Sequence, residues 1–182
     1  LGVAVLDYDG DGWPDIFALN GHVADDVSVT QPSLHYAESP LLFRNRGKGH
    51  FENVTDRVGS ALHQPIVGRG AAYLDFDNDG DLDLVITTNN GAAKLLRNDN
   101  GNQNDMLRVR TIGTRSNRDG IGAKVTVKTS KGMRLFEMVK SGSSYLSQSE
   151  MPLTFGLGKP EAGKTASLDI VWPSGKKETL SD

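Results

Sequence analysis

The sequence contains no cysteine, which excludes disulfides and thiolate metal ligands. No run approaches the roughly 18 apolar residues that a membrane-spanning helix requires, so we expect no membrane insertion. Its four histidines lack the H-x-H or H-x-x-x-H spacing of a zinc site. The chain holds 21 glycines and many short runs of valine, leucine and threonine. This composition favours many short strands and turns over long helices.

Recognisable catalytic motifs are also missing. There is no G-x-S-x-G, and residues 106–182 contain no histidine that could activate a serine. The polar stretch Ser141–Ser149 therefore has two interpretations. Its hydroxyls, with Tyr145, bind a glycan or peptide, or they satisfy the backbone of their own loop, as Ser-rich turns routinely do. We predict a non-enzymatic chain.

The net charge of −3 hides an uneven distribution. Residues 1–105 carry 16 acidic and 7 basic side chains, whereas residues 106–182 carry 7 acidic and 13 basic ones. This asymmetry predicts two units of different chemistry. Aromatic residues are not interleaved with the C-terminal basic side chains, so nucleic acid is not an expected partner.

An internal repeat dominates the first half. Shifted by 68 positions, GVAVLDYDGDGWPDIF aligns with GAAYLDFDNDGDLDLV, and LFRN (Leu42–Asn45) aligns with LLRN (Leu95–Asn98) at a shorter offset. The difference is an insertion in the first copy, roughly Gly21 to Pro40. A repeat of this period is typical of propellers and solenoids. Each copy predicts about four strands, the number in a propeller blade.

The polar run Asn98–Asp105 predicts a domain boundary. We expect an N-terminal unit over residues 1–104 and a C-terminal unit over residues 105–182. The second unit alternates polar and apolar residues with a period of two, as half-buried antiparallel strands do. The fold prediction is all-β: incomplete β-propeller blades followed by a small antiparallel β-sandwich or barrel of about six strands.

Each copy of the repeat contains the pattern D-x-D-x-D-G-x-x-D. Alternate carboxylates point inward as such a loop curls, and Ca²⁺ prefers six to eight oxygen ligands. A glycine at the sixth position, Gly12 or Gly80, allows the sharp turn. We predict two Ca²⁺ sites. The side-chain ligands are Asp7, Asp9, Asp11 and Asp15 in the first, and Asp75, Asp77, Asp79 and Asp83 in the second. Trp13 and Asp81 contribute backbone carbonyls, and the side chain of Asp81 is expected to point outward.

Other interpretations of these loops fit less well. An EF-hand needs a glutamate at position twelve and flanking helices, but that position is Ala18 or Ile86 and the flanks are typical of strands. Mg²⁺ retains its waters and fits crowded protein cages poorly. A catalytic carboxylate pair generally comes from distant segments. A solvated acidic loop remains the alternative, which two copies with identical spacing disfavour.

The aspartate units resemble FG-GAP or VCBS-type repeats. The C-terminal half resembles the ASPIC/UnbV domain. The segments that carry this resemblance are RTIGTRSNRDGIGAKVTV, SGSSYLSQSE, LTFGLGK and VWPSGKKETL. Repeats followed by ASPIC/UnbV occur in the cartilage acidic protein family and its bacterial relatives. Since the chain begins at Leu1 without a methionine and closure needs about four to eight blades, we expect further blades upstream.

The resemblance implies a secreted or cell-surface calcium-binding propeller module, in a bacterium periplasmic or on the outer-membrane surface. It also implies a role in adhesion, or in binding a surface or matrix protein or glycan. The alternatives are part of a secreted glycan-acting enzyme and a purely structural, calcium-stabilised scaffold.

Overall fold

A computed structural model describes residues 2–99, 103–115, 117–159 and 165–181. As the sequence predicts, the fold is all-β and its sheets are antiparallel. Residues 100–102 of the predicted linker lie outside the described residues. The strands are β1 (Gly2–Leu6), β2 (Asp15–Leu19), β3 (Leu41–Asn45), β4 (Phe51–Asn53), β5 (Gly68–Leu74), β6 (Asp83–Thr88), β7 (Lys94–Leu96), β8 (Asp105–Val109), β9 (Lys124–Thr129), β10 (Arg134–Met138), β11 (Leu153–Gly158), β12 (Thr165–Val171) and β13 (Lys177–Ser181).

The remaining regular structure is short. A four-residue helix, α1 (Val27–Thr30), lies in the insertion of the first repeat, and two 3₁₀ turns span Thr55–Arg57 and Ser60–His63. Among the described residues, no helix has the length and apolar character needed to cross a membrane.

The first repeat folds into a four-stranded sheet in the order β1-β2-β3-β4. This is the predicted strand number. In β1, buried Ala4 and Leu6 alternate with half-exposed Val3 and Val5, so one face of the strand points into the core. The predicted turn between β3 and β4 is present, with the His50 N–H donating to the Gly47 carbonyl at 3.0 Å.

The second repeat forms a sheet of three described strands, β5-β6-β7, one fewer than the sequence predicts. The reason is the polar run that begins at Asn98, two residues after β7, because its asparagines, aspartates and glycine favour a loop over a strand. The predicted turn at Asn89–Gly91 is confirmed, and Asn90 adopts a left-handed φ of 57°.

The two repeat sheets pack together as neighbouring blades of a propeller fragment. β1 and β5 are the edge strands of their sheets and lie against each other, so closely that a Cβ on Gly2 would fall 2.5 Å from the Arg69 carbonyl oxygen. One apolar cluster joins them, with Phe17 and Leu19 from the first sheet and Ala71 and Ile86 from the second. The aspartate loops connect β1 to β2 and β5 to β6 and lie at the same end of the two sheets.

The C-terminal unit has the six predicted strands. They form a four-stranded sheet, β10-β9-β12-β13, and a two-stranded sheet, β8-β11, with no closed barrel among the described residues. Val125, Val127, Leu153 and Phe155 belong to the apolar cluster between the sheets, so this unit is a small sandwich. All residues of this cluster lie beyond residue 105, whereas all of the blade cluster lies before residue 97. The boundary between residues 104 and 105 remains a prediction.

The two units contact each other through backbone groups. The Glu150 N–H donates to the Tyr73 carbonyl at 3.0 Å, and the Gly158 N–H donates to the Gly10 carbonyl at 2.9 Å. The Ser-rich stretch takes part. The hydroxyl of Ser149 accepts from the Tyr73 N–H at 3.1 Å, and that of Ser144 accepts from the Val3 N–H at 3.0 Å. These hydroxyls therefore satisfy blade backbone at the edges of β1 and β5.

Candidate metal centres in the two aspartate loops

The two aspartate loops share one backbone conformation. Both connect antiparallel strands rather than helices, which excludes the EF-hand. The sixth residues, Gly12 and Gly80, have φ values of 90° and 102°, in the left-handed region that glycine tolerates without strain. The fourth residues, Gly10 and Asn78, also have similar left-handed φ values, 66° and 60°. The loops are therefore two copies of one structure.

The last aspartate of each loop holds the loop together. Asp15 Oδ2 accepts from the Tyr8 N–H at 3.1 Å, and its Oδ1 accepts from the Asn45 N–H at 2.7 Å. In the second loop Asp83 Oδ2 accepts from the Phe76 N–H and Oδ1 from the Asn98 N–H, both at 2.8 Å. Each carboxylate thus ties the loop to the strand pair behind it and is fully buried.

The third aspartate of each loop stabilises the turn. Asp11 Oδ1 accepts from the Trp13 N–H, and Asp79 Oδ1 accepts from the Asp81 N–H, both at 2.9 Å. These are the local side-chain-to-backbone bonds that aspartate makes two residues along.

Three of the predicted aspartates in each loop converge. Asp7, Asp9 and Asp15 offer carboxylate oxygens within 4.8 Å of one another, and Asp75, Asp77 and Asp83 do the same. Asp11 and Asp79 are outside these groups, so their proposed role as side-chain ligands rests on the sequence pattern alone. Trp13 and Asp81 lie at the same loop position, as their predicted carbonyl role requires.

Crowded, buried carboxylates give the first loop unusual electrostatics. Burial is the main cause that raises the pKa of Asp7 to about 7 and that of Asp15 to about 7, and neighbouring carboxylates add to it. The pKa of Asp9 is raised for the same reasons. The Arg44 guanidinium offsets part of the charge, lying 2.7 Å from Asp9 Oδ2 and 3.0 Å from Asp11 Oδ2.

In the second loop the compensating arginine comes from the other unit. Arg108, in β8, donates to Asp75 through one guanidinium nitrogen and to Glu150 through another. The corresponding blade arginine, Arg97, pairs with Asp99 at the surface instead. Each aspartate loop therefore has one arginine beside it, but from different parts of the chain.

The prediction for the Asp81 side chain is wrong. Instead of pointing outward, it is fully buried, with 0% of the residue exposed. The equivalent residue in the first loop, Trp13, is 49% exposed. The repeat alignment showed that a carboxylate is not required at this position, but it carried no information on where this side chain packs.

Several residues that shape the site were missed by sequence reasoning. Asn45 and Asn98 supply the backbone donors to the last aspartates, and their side chains bind the Pro14 and Tyr8 carbonyls at 2.9 and 2.6 Å. Both asparagines lie in the repeated segments LFRN and LLRN, so the repeat could have identified them. Arg44 lies in the first of these segments. Arg108 had no comparable signal, because its partners are 33 and 42 residues away.

The residues present fit a hard divalent cation. Every converging donor is a carboxylate oxygen, the ligand type that Ca²⁺ and Mg²⁺ prefer. Asp9 Oδ1 and Asp75 Oδ1 are buried and have no hydrogen-bond partner among the described residues. A buried carboxylate oxygen without a partner is costly, and a bound cation would remove that cost.

Comparison with known proteins agrees with this architecture. Residues 7–86 match the family model for the FG-GAP-like repeat, and residues 113–182 match the model for ASPIC and UnbV. The chain belongs to the proteins that join FG-GAP-like repeats to an ASPIC/UnbV domain. The FG-GAP-like region contains both candidate metal centres, and the ASPIC/UnbV region contains the C-terminal sandwich from β9 onward.

Two named proteins are similar to the chain over most of its length. The chain is 36% identical to human "Cartilage acidic protein 1" over 140 residues, which is 74% of this chain and 21% of that protein. It is 32% identical to the Xenopus tropicalis protein of the same name over 184 residues, 98% of this chain and 26% of that protein. The chain thus spans only about a fifth to a quarter of the length of these relatives.

Proposed function

We propose that the chain binds two Ca²⁺ ions, one in each aspartate loop, and serves as part of an extracellular β-propeller module for adhesion or for binding a surface or matrix protein or glycan. The proposal is for a binding module and not an enzyme. The ions would neutralise the loop carboxylates and tie together the strands on either side, so that their binding energy adds to folding stability.

One observation supports the calcium proposal above all others. Two nine-residue loops that differ at four positions adopt the same backbone turns and bring three equivalent aspartates together. Three carboxylates within 4.8 Å of one another repel, and a bound cation would relieve this repulsion in both loops. Ca²⁺ fits better than Mg²⁺ because the loop offers several protein oxygens and Mg²⁺ keeps its waters.

The extracellular setting is proposed from the names of the relatives and from the calcium chemistry together. Both relatives above are called cartilage acidic proteins. Extracellular calcium modules bind with a Kd of about 10⁻⁴ to 10⁻³ M. A loop of this kind stays filled at the millimolar Ca²⁺ concentration outside cells and would be largely empty at cytosolic concentrations.

Replacing Asp77 with alanine tests the second site with little damage to the fold. Asp77 is exposed and makes no hydrogen bond or ion pair within the described structure, yet it belongs to the converging group. We expect Asp77→Ala to remove one Ca²⁺ per chain, as measured by isothermal titration calorimetry and atomic absorption. The matched control is Asp25→Ala, an exposed aspartate outside both loops.

The expected stoichiometries are two ions for the parent chain and for Asp25→Ala, and one for Asp77→Ala. An unchanged count in Asp77→Ala would remove the second loop as a site. If millimolar Ca²⁺ leaves the melting temperature of the parent chain unchanged, both sites are refuted.

A further inference from the structure

A cleft of about 200 Å³ lies between the first aspartate loop and strands β10 and β11 of the C-terminal sandwich. We call it the loop–β10 cleft. Its walls include Trp13 from the loop, Arg134, Phe136 and Glu137 from β10, and Thr154 from β11. An apolar cavity of about 150 Å³ accepts a benzene-sized ring, so the cleft has room for one six-membered ring.

Two aromatic side chains of the cleft are exposed. Trp13 is 49% and Phe136 is 60% exposed, although both are large apolar groups. They come from opposite units, one from the blade loop and one from the sandwich. The Trp13 ring lies over Gly47, where a Cβ would be 3.5 Å from two ring atoms, so one of its faces is already supported. Exposed, supported aromatic rings in a concave site are typical of ligand contacts.

The cleft also contains a polar group that has no partner within the described structure. The Thr154 hydroxyl is buried and has no hydrogen-bond partner among the described residues. A hydroxyl can both donate and accept, so leaving it unpaired in a buried position is unfavourable. Arg134 also lines the cleft and offers guanidinium donors, although its charge is close enough to Asp169 to help lower the pKa of that carboxyl. Burial raises the pKa of Glu137, although Lys140 opposes this.

We propose that the loop–β10 cleft binds a sugar ring of a neutral glycan. A pyranose has a face of C–H groups, which packs against an aromatic ring, and an edge of hydroxyls, each able to donate and accept a hydrogen bond. Trp13 and Phe136 would contact the C–H face, and Thr154 and Arg134 would pair with the hydroxyls. A purely apolar peptide side chain would leave the Thr154 hydroxyl unpaired.

This inference rests on the proposed function and deepens it, because it names a ligand class for the module. Only the first aspartate loop connects the cleft to the proposed calcium sites. Asp7, a converging carboxylate of the first loop, also lines the cleft. A cation that orders this loop would fix the position of Trp13. The second loop contributes no lining residue, so a defect confined to Asp77 leaves the cleft intact.

The test uses the two indole groups of the full chain, Trp13 in the cleft and Trp172 outside it. The ¹⁵N-labelled, calcium-saturated chain is titrated with cellobiose, lactose and N,N′-diacetylchitobiose, and the two indole N–H signals are followed by NMR. We expect at least one sugar to shift the Trp13 signal in a saturable manner and to leave the Trp172 signal in place. Trp13→Phe assigns the signals.

Variants then locate the binding. Phe136→Ala is expected to raise the Kd about tenfold, since truncated aromatic anchors cost this much or more. Thr154→Val keeps the shape but removes the hydroxyl, and is expected to raise the Kd about fivefold. Phe51→Ala is the matched control, because Phe51 is a 46% exposed phenylalanine that does not line the cleft. Its Kd should equal that of the parent chain.

The result that overturns the inference is a Trp13 signal unmoved by all three sugars, or moved equally in Phe136→Ala, Thr154→Val and the parent chain. Calcium titrations of the same samples separate the two proposals. Two bound ions with no sugar response refute the glycan site alone. A sugar response without calcium binding supports the cleft and refutes the proposed metal function.

Discussion

At the scale of single residues, the aspartates within one loop have different structural roles. Asp15 and Asp83 are fully buried and each accepts two backbone N–H groups. Asp77 is exposed and bonds to nothing within the described structure. The first kind therefore shapes the loop before any cation arrives, while the second can contribute only once a cation is present.

These different roles predict that Asp83→Ala and Asp77→Ala have different effects on the stability of the calcium-free chain. Asp83→Ala leaves two buried N–H donors without acceptors and is expected to lower the free energy of unfolding by about 3 kcal/mol. Asp77→Ala is expected to change it by less than about 0.5 kcal/mol. Urea denaturation of the chelator-treated proteins measures both values. Equal losses would mean that Asp83 has no structural role of its own.

The raised pKa values of Asp7 and Asp15 predict a pH dependence of stability in the absence of calcium. Both rise from 3.8 to about 7 on folding, so the folded chain binds more protons than the unfolded chain between these values. The stabilisation by these protons is fully present below pH 3.8 and is lost as the pH rises through about 7. The calcium-free melting temperature should therefore contain a component that falls between pH 5.5 and pH 8.

Asp7→Asn isolates this component, because the amide does not titrate. The fall in melting temperature between the two pH values should be smaller in Asp7→Asn than in the parent chain, with both proteins depleted of metal and measured by circular dichroism. The same fall in both would show that Asp7 is not protonated near neutral pH.

At the scale of elements, the sequence was informative wherever a pattern is local. Strand alternation and turn residues located β1, β2, β5 and β6 and the two aspartate loops, because a period of two and a glycine at a left-handed position act within a few residues. The repeat also aligned Asn45 with Asn98, whose backbone N–H groups make equivalent bonds to Asp15 and Asp83, although the alignment alone did not predict those bonds.

Contacts between distant elements could not be predicted in this way. The contact of Arg108 with Asp75 depends on how the two units meet. A Cβ on Gly156 would lie 2.1 Å from Asp7 Oδ2, so that glycine permits the close contact of β11 with the first loop. The residues next to Gly156 in the sequence do not predict this contact. Alternation of polar and apolar residues shows which side chains of a strand face a core, but it does not show which element packs against them.

The contacts of Arg108 in β8 predict that this residue stabilises the packing of the sandwich against the blades. Its guanidinium joins Asp75, whose side chain is almost completely buried, to Glu150. Arg108→Gln leaves both carboxylates without their cation, and since the guanidinium is 29% exposed we expect a loss of about 2 kcal/mol in the calcium-free chain. The control Arg97→Gln removes an exposed pair with Asp99 and should cost less than about 0.5 kcal/mol. Equal effects would contradict a role for Arg108 in joining the units.

At the scale of the whole molecule, the chain combines a metal-dependent part with a metal-independent one. Both converging aspartate groups found among the described residues lie in the blades. The sandwich has its own apolar cluster, drawn wholly from its own residues. Among the described residues, its polar contacts with the blades include backbone bonds, two serine hydroxyls and one arginine. Calcium should therefore control the blades directly and the sandwich only through its attachment to them.

We accordingly predict that residues 105–182 alone fold cooperatively and that neither Ca²⁺ nor EDTA alters their melting temperature. The fragment keeps the core residues of the sandwich and loses only the partners in the blades. Introducing Arg108→Gln into the fragment should then cost little, because Asp75 is absent, whereas the same change in the full chain is costly. Differential scanning calorimetry measures both, and dispersed amide signals in NMR confirm the fold. A random-coil spectrum, or a calcium-dependent melting temperature of the fragment, would show that the sandwich depends on the blades for its structure.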